Sequence, residues 1–222
     1  ETVLIYNFLR QRKIVIPQKK SYRKDEQYEG AYVKEPLTGL HKWVMSFDLN
    51  SLYPHLIMQY NLSPETLLKS KQQDVTVDDM LKGIKLNIPD KTTMTPNGAL
   101  FRIDKQGFLP KMMQELYDER VIFKKKMLSA QQDYENTKDK KYLKLISRYN
   151  NIQMARKISL NSAYGAIGNQ YFRYYDKAIA EGITKSGQLS IRWIEDKLNQ
   201  YLNNVLKTDD DYVIASDTDS VY

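Results

Sequence analysis

The 222-residue chain contains no cysteine and only two histidines, His41 and His55. The absence of thiols excludes a disulfide framework and every zinc site that uses thiolates. Two histidines are too few for a cage of imidazole ligands. Any metal would therefore be held by carboxylate oxygens, which favour magnesium, manganese or calcium. No apolar run approaches the roughly 20 residues that span a bilayer, and no secretory or membrane signal is visible.

Acidic residues are outnumbered, with 27 Asp and Glu against 34 Lys and Arg, which gives a formal net charge of +7. This balance suits a polyanionic partner such as nucleic acid, although solvated lysine faces give the same balance. Hydrophobic residues make up 41% of the chain and aromatic residues 11%. We therefore expect a folded core rather than disorder.

Both ends of the sequence look cut. The sequence predicts an apolar strand at residues 212–215, then a turn, and then the first two residues of a second strand at 221–222. A hairpin this short does not satisfy its hydrogen-bond ladder. We expect an internal segment of a longer protein, the alternative being a small protein with an unusual end.

Short apolar stretches and longer amphipathic ones predict an α+β fold. Pro17 is expected to end an opening helix near a basic run at residues 11–24, and a strand at 43–48 leads into a helix capped by Ser51. The sequence also predicts a short helix at 77–82 and a hairpin region at 93–109. An antiparallel helical pair follows, with one helix from after Pro110 to about 136, a polar break at 137–141, and a second helix to about 161. A further helix at about 184–206 carries Leu189, Trp193, Ile194 and Leu198 on one face.

The first chemical cluster is the segment DLNSLYP, which begins at Asp48 where a strand gives way to a helix. An acid beside the free amides of a helix start can hold a divalent cation and a phosphate together. Taken alone, a capping aspartate is the simpler interpretation.

A second cluster places Lys157, Asn161 and Tyr164 at positions i, i+4 and i+7 of one helix face. A cation, an amide and an aromatic ring match a phosphate, a sugar edge and a base edge. Arg120 and Lys124 are also spaced i, i+4, so two facing helices could offer cations to one polyphosphate. For Arg120 and Lys124 alone, a solvated basic face is the better explanation.

The third cluster is the segment SDTDS, which contains Asp217, Thr218 and Asp219 between two short apolar stretches. Two acids two residues apart can point to the same side of a strand or tight turn. Their repulsion is costly unless a cation neutralises it. The alternative is an exposed hairpin turn rich in polar residues.

The order and spacing of the three clusters favour the chemical interpretation. The stretches DLNSLYP, KISLNSAYG and SDTDS resemble motifs A, B and C of the family B (alpha-type) DNA polymerases. The longer runs FDLNSLYPHLIMQYNLSPET and YGAIGNQYFRYYD look most like the replicative polymerases of T-even-type bacteriophages. YEGAYV resembles the family's motif between its exonuclease and polymerase parts. The resemblance covers roughly residues 28–222.

This resemblance implies a palm of antiparallel sheet with packed helices, and fingers made of an antiparallel helical pair. Residues 1–27 would end the preceding N-terminal or exonuclease region and its linker, and 28–108 would form the first part of the palm. The fingers would be 109–169, and 170–222 a truncated second part of the palm. The implied activity is template-directed addition of deoxynucleotides to a primer 3′-hydroxyl in phage DNA replication. We expect the isolated chain to be inactive or poorly active.

The resemblance also implies two Mg²⁺ ions, for which Mn²⁺ could substitute. Asp48 and Asp217 would bridge the ions, Asp219 would complete the acidic cluster, and the carbonyl of Leu49 would add a ligand. Lys157 is the implied proton donor to the departing pyrophosphate.

The implied nucleotide site combines backbone amides with cations. The amides of Ser51, Leu52 and Tyr53 would bind the triphosphate, and the ring of Tyr53 would exclude a ribose 2′-hydroxyl. The side chains that would grip the triphosphate are Arg120, Lys124, Lys157 and Asn161. The implied DNA contacts are Tyr28, Gly30, Tyr164, Gly165 and Thr218.

Two features depart from the family pattern. Ala215 and Ser216 stand where the family usually has Tyr-Gly, which puts the primer-end contact in doubt. The helical pair is also shorter between Arg120 and Lys157 than in the T-even enzymes. The rival hypotheses are a non-catalytic nucleic-acid-binding module and an RNA-making or RNA-directed polymerase. Retention of the acids and the lysine argues against the first, and Tyr53 argues against the second.

The expected partners are primer-template DNA, deoxynucleoside triphosphates and a sliding clamp that binds through regions outside this chain, with no membrane involved. The expected location is the cytoplasm of an infected bacterial host. A split polymerase completed by a second polypeptide is an alternative to a partial sequence.

Overall fold

The computed structural model describes residues 5–18, 27–69 and 73–222. The second part of the predicted basic run, from residue 19 to 24, lies outside the described residues. The helices are α1 (Asn7–Gln11), α2 (Leu52–Gln59), α3 (Val77–Leu81), α4 (Phe108–Thr137), α5 (Lys141–Ile167) and α6 (Lys177–Leu206). The strands are β1 (Val33–Lys34), β2 (Phe47–Asp48), β3 (Thr92–Met94), β4 (Leu100–Arg102), β5 (Ser216–Asp217) and β6 (Ser220–Val221). The predicted α+β class is confirmed.

Four strands form one antiparallel sheet in the order β1–β5–β6–β2, and β3 and β4 form a separate hairpin. In the sheet, Asp217 and Asp48 both lie directly opposite Ser220. Residues directly opposite each other in antiparallel strands project from the same face. The two acids and Ser220 therefore form one row on one face.

The other face of this sheet packs against α6. Ser216, only 1% exposed, donates a hydrogen bond to Oε1 of Glu195 on α6 at 3.3 Å. Lys34 is the ladder partner of Ser216, and its Nζ lies 3.6 Å from the same Glu195 oxygen and 2.7 Å from Asp211. The serine that replaces the usual glycine of the family pattern thus has a buried acceptor, which is itself neutralised by a lysine.

The helices α4 and α5 form the predicted antiparallel pair, with a turn at residues 138–140. Their inner ends join the main core through Leu109, Met113, Leu160 and Ile167, whereas many residues toward the turn are exposed. The pair is therefore a projecting arm anchored at its base. The predicted end of α5 near residue 161 is too early: the helix continues through Gly165 to Ile167.

Other element boundaries also differ from the sequence-based predictions. Only Phe47 and Asp48 of the predicted strand at 43–48 join the ladder, because Trp43 has a φ of 60° and its side chain is 97% exposed. The last long helix begins at Lys177 rather than near 184, because the Asp176 side chain accepts a hydrogen bond from the amide of Ala178 at 3.0 Å. On that helix Trp193 is 53% exposed, so it does not belong to the buried face as predicted.

The strand predicted at residues 212–215 is displaced. Val213 is buried, but the ladder residues are Ser216 and Asp217. Residues 214 and 215 instead pair with Tyr222 outside the regular ladder. The amide of Ile214 donates to the carbonyl of Tyr222 at 2.9 Å, and the amide of Tyr222 donates to the carbonyl of Ala215 at 2.9 Å. The hairpin is thus longer than its two-residue strands.

Replacement of Lys34 by Met is expected to destabilise the chain by about 3–5 kcal/mol, because Glu195 would remain in the interior without its cation. Urea denaturation at pH 7 measures the effect. The double variant Lys34→Met/Glu195→Leu should recover most of the loss, since an apolar pair often substitutes for a buried ion pair.

The matched control is Lys138→Met, which breaks an ion pair with Glu135 in which both side chains are 65% exposed. Its expected cost is below about 1 kcal/mol. Equal losses in Lys34→Met and Lys138→Met would contradict a buried anchoring role for Lys34.

Candidate active site

A cavity of about 390 Å³ opens where the acid row, the start of α2 and the helical pair meet. Its size falls in the range of small-ligand sites. Its lining residues are Asp48, Asn50, Ser51, Leu52, Tyr53, Pro54, Arg120, Lys157, Asn161, Tyr164 and Asp219. The structure thus brings together residues of all three sequence clusters.

Two charged residues of the predicted site, Asp217 and Lys124, are not among these lining residues. Asp217 is exposed on the same sheet face, and Lys124 is exposed on α4 one turn beyond Arg120. A larger cavity of about 680 Å³ lies between α1 and the region of β4 and contains none of the predicted site residues. The predicted acids and cations are therefore concentrated at or beside the smaller cavity.

The three acids are placed by the sheet and its turn. Two strand spacings separate Asp48 from Asp217, which corresponds to about 10 Å between their Cα atoms. Asp219 lies in the turn, where its carbonyl accepts a hydrogen bond from the amide of Leu49 at 2.8 Å. This bond ties the loop after β2 to the β5–β6 turn.

The electrostatics of the acids favour a cation. Burial raises the pKa of Asp219, and the negative charges of Asp48 and Asp217 raise it further. Ser220 donates to Oδ2 of Asp48 at 3.3 Å. A divalent ion among these oxygens would relieve the repulsion, so their chemistry fits Mg²⁺ or Mn²⁺.

The fit to a single three-carboxylate site is incomplete. Within residues 5–18, 27–69 and 73–222, no three side chains of His, Cys, Asp or Glu come close enough to hold one metal ion together. Asp48 and Asp217 stand on either side of Ser220 rather than converging. The backbone carbonyl of Leu49 is a further oxygen directly after Asp48 in the chain.

Ser51 does not cap α2 as predicted. It has a φ of 56°, and its side chain makes no capping hydrogen bond. Its hydroxyl instead accepts a hydrogen bond from NH1 of Arg120 at 3.1 Å. The Nε of Arg120 is buried and has no hydrogen-bond partner among the described residues. A guanidinium with a spare donor in a cavity is suited to an anion.

Three tyrosines from separate parts of the chain lie close together, and two of them, Tyr53 and Tyr164, line the cavity. The ring of Tyr53 stacks on that of Tyr164, with centroids 4.2 Å apart and planes inclined by 27°. The hydroxyl of Tyr28 donates to the carbonyl of Gly168 at 3.5 Å. Burial is the largest cause of a raised pKa in all three tyrosines, which keeps their hydroxyls protonated.

The predicted DNA contacts lie around these tyrosines. The carbonyl of Gly30 accepts from Nε2 of Gln188 at 2.7 Å, so α6 holds the YEGAYV segment. Thr218 has a φ of 55°, and its amide donates to Tyr32 at 3.0 Å. This bond connects the YEGAYV segment to the acidic turn. Gly165 is exposed on α5 with open space around it.

Sequence reasoning missed three positions near the site. Asn50 and Pro54 line the cavity, and Ser220 stands between the two acids of the row. The symmetry of SDTDS contained a signal for Ser220, because a two-residue turn at Thr218 and Asp219 pairs Asp217 with Ser220. The position of Asp48 opposite Ser220 required the structure.

Acids on an antiparallel sheet face an arginine and a lysine on paired helices, so the two walls of the cavity carry opposite charges on an α+β scaffold. The model of DNA polymerase family B matches residues 1–222. The chain therefore belongs to DNA polymerase family B.

Two phage proteins are similar to nearly the whole chain. The DNA-directed DNA polymerases of Escherichia phage RB69 and Enterobacteria phage T4 are each 34% identical over 99% of this chain and 29% of their own length. The alignments run over 261 positions, so these relatives carry additional residues within the matched region. The chain spans less than a third of the curated relatives that it matches.

The similarity extends beyond phages. The DNA polymerase delta catalytic subunit of Candida albicans is 34% identical over 95% of this chain and 19% of its own length. The solved family B DNA polymerase of the archaeon Pyrobaculum calidifontis superposes with a TM-score of 0.65 at 27% identity, covering 97% of this chain and 24% of that one. No helix in the described part of the chain has the length and apolarity needed to cross a membrane.

Replacement of Asp219 by Asn should stabilise the metal-free chain at pH 7, because the raised pKa of this carboxyl means that its charge disfavours the fold. The gain should stay below about 1 kcal/mol because the group is partly exposed. Thermal melting without and with Mg²⁺ measures it. Mg²⁺ should raise the melting temperature of the unmodified chain more than that of Asp219→Asn.

The control is Asp133→Asn, on the exposed surface of α4. It should respond to Mg²⁺ as the unmodified chain does. A Mg²⁺ response that is equal in all three proteins would contradict cation binding at Asp219.

Proposed function

We propose that this chain supplies the catalytic core of a DNA-directed DNA polymerase, which adds deoxynucleotides to a primer 3′-hydroxyl under the direction of a template. The observation that carries the proposal is the shared cavity, where Asp48 and Asp219 face Arg120 and Lys157. Membership of DNA polymerase family B supports it. The proposed setting is phage DNA replication in the cytoplasm of the host, since two of the similar relatives are phage polymerases.

The proposed division of the chain follows the arm and its base. Residues 28–108 and 170–222 form the palm, and 109–169 form the fingers. This division is supported by the bounds of the helical pair, which begins at Phe108 and ends at Ile167. Residues 1–27 are assigned to the end of a preceding region and its linker.

The acids are proposed to hold two divalent ions, with Mg²⁺ preferred and Mn²⁺ able to substitute. Asp48 and Asp217 supply the main carboxylates, Asp219 the third, and Leu49 a backbone carbonyl. When bound, the ions lower the pKa of the primer hydroxyl and neutralise the triphosphate. The protein contributes by holding these oxygens on one face of the sheet, beside the start of α2.

The incoming triphosphate is proposed to lie between the first turn of α2 and the helical pair. The amides of Ser51, Leu52 and Tyr53 donate to its oxygens. Arg120, together with Lys124, Lys157 and Asn161, balances the negative charge. Lys124 reaches the triphosphate only if the arm swings inward. Lys157 donates a proton to the leaving pyrophosphate.

Tyr53 is proposed to select the sugar. Its ring lines the cavity beside the acid row, so a ribose 2′-hydroxyl would collide with it. Tyr164 and Gly165 lie against the nascent base pair, Tyr28 and Gly30 contact the template side, and Thr218 lies at the primer end. The partners are primer-template DNA and deoxynucleoside triphosphates, with a sliding clamp as a further partner.

Replacement of Asp217 by Ala in the full-length gene product should reduce the rate of primer extension about 10³-fold, because several kcal/mol of charge stabilisation would be lost. A primer-extension assay with Mg²⁺ measures the rate. The melting temperature should change little because Asp217 is exposed.

The control for that variant is Asp209→Ala, an exposed acid between α6 and β5. It should retain the unmodified rate. Full activity in Asp217→Ala would remove this acid from the proposed mechanism, and no extension by the unmodified protein would remove the proposed function.

Replacement of Tyr53 by Ala should raise kcat/KM for ribonucleotides relative to deoxynucleotides by about 10- to 100-fold, because the colliding ring is gone. Single-nucleotide incorporation of dATP and ATP measures the ratio. Tyr201→Ala, a change at an exposed tyrosine of α6, should leave the ratio unchanged. An unaltered ratio in Tyr53→Ala would show that another group selects the sugar.

A further inference from the structure

Gly187 lies inside α6, where glycine is less favourable than alanine and calls for a packing reason. A Cβ built at this position would lie 2.9 Å from Cε1 of Tyr53 and 3.7 Å from Cδ2 of Leu52. Non-bonded carbon atoms separate to about 3.5 Å or more. The edge of the Tyr53 ring therefore occupies the space that a side chain at position 187 would need.

The Tyr53 ring has little freedom to avoid an added methyl group. Its face is stacked on Tyr164, with centroids 4.2 Å apart. Its backbone belongs to the first turn of α2, which packs closely on α6 at the neighbouring buried residue Leu52. A ring pushed from Gly187 would have to move by at least about 0.6 Å to restore ordinary contact.

The direction of that movement follows from the cavity. Tyr53 and Tyr164 line the cavity, and no residue of α6 is among its lining residues. Movement of the ring away from α6 is therefore movement toward the space above Asp48 and Asp219. A larger residue at 187 would narrow the place where the nucleotide sugar is proposed to bind.

We propose that Gly187 is a positioning residue that sets how far the Tyr53 ring projects into the cavity, and so how tightly the site accepts a nucleotide sugar. This inference rests on the proposed function, because it concerns the sugar-selecting role of Tyr53. Gly187 itself touches no substrate. It acts through the ring that it accommodates.

The test compares two Gly→Ala changes on the same helix in the full-length gene product. Gly187→Ala should raise the KM for dATP about fivefold or more, with a smaller change in kcat. Gly182→Ala is the matched control, because its Cβ would meet Thr95 Oγ1 at 3.1 Å and lies away from Tyr53. Both changes share the same gain in helix propensity, but only the methyl group at position 187 meets the Tyr53 ring.

A double-mutant cycle separates positioning from general damage to the fold. In the Tyr53→Ala background the added methyl group has no ring to displace, so Gly187→Ala should leave the KM for dATP within twofold. A purely structural effect of Gly187→Ala would persist without the ring. Equal effects of Gly187→Ala with and without Tyr53, or equal effects of the two glycine variants, would overturn the proposal.

Equilibrium binding of a fluorescent deoxyadenosine triphosphate analogue provides a readout that does not require catalysis. The same cycle is measured as dissociation constants. If the unmodified protein binds the analogue but extends no primer, the proposed function fails while the binding cycle still tests Gly187. If it extends primers and the cycle shows no coupling, the positioning role fails and the polymerase function stands.

Discussion

The antiparallel register around Ser220 is the constraint on which the site depends. Because Asp217 and Asp48 are both partners of Ser220, two acids far apart in sequence share one face and one row of the sheet. Register in such a sheet is discrete: a slip of one residue would turn both acids toward α6. Contacts on the opposite face of the sheet disfavour that slip, because Ser216 donates a hydrogen bond to Glu195 of α6 and Lys34 forms an ion pair with it. The position of the acids is thus set from the side opposite the cavity.

The acidic row also explains why the opposite wall is basic. Burial raises the pKa of Asp219, and the negative charges of Asp48 and Asp217 raise it further. Arg120 and Lys157 face them from an arm that is anchored only at its base. Arg120 holds Ser51 at one nitrogen and leaves Nε without a partner in the described part of the chain. The cavity therefore offers carboxylates that attract a cation on one wall and basic side chains that attract an anion on the other.

Much of this site could be predicted from sequence, for physical reasons that also mark the limits. The long helices α4, α5 and α6 carry many residues of one periodic pattern, so their existence was predictable even where their ends were not. The strands at Phe47–Asp48 and Ser216–Asp217 are only two residues long. Strands this short form because neighbouring strands pair with them, and they are too short to show an alternating hydrophobic pattern in the sequence. The same reason applies to Ser51. Its local context predicts a cap, but a distant arginine uses its hydroxyl instead.

Two residues of α6, Glu195 and Gly187, explain how one helix can support two different parts of the site. Ser216 requires an acceptor from this helix, and Glu195 supplies it. About two turns earlier on the helix, the start of α2 requires space, and Gly187 provides it because it has no side chain. Between these positions α6 carries the buried Ile191, which packs under the sheet with Val213 and Val221. The helix therefore fixes the acids and the tyrosine relative to each other. A change in the packing of α6 at Glu195 or at Gly187 would therefore alter the distance between the sheet carboxylates and the Tyr53 ring.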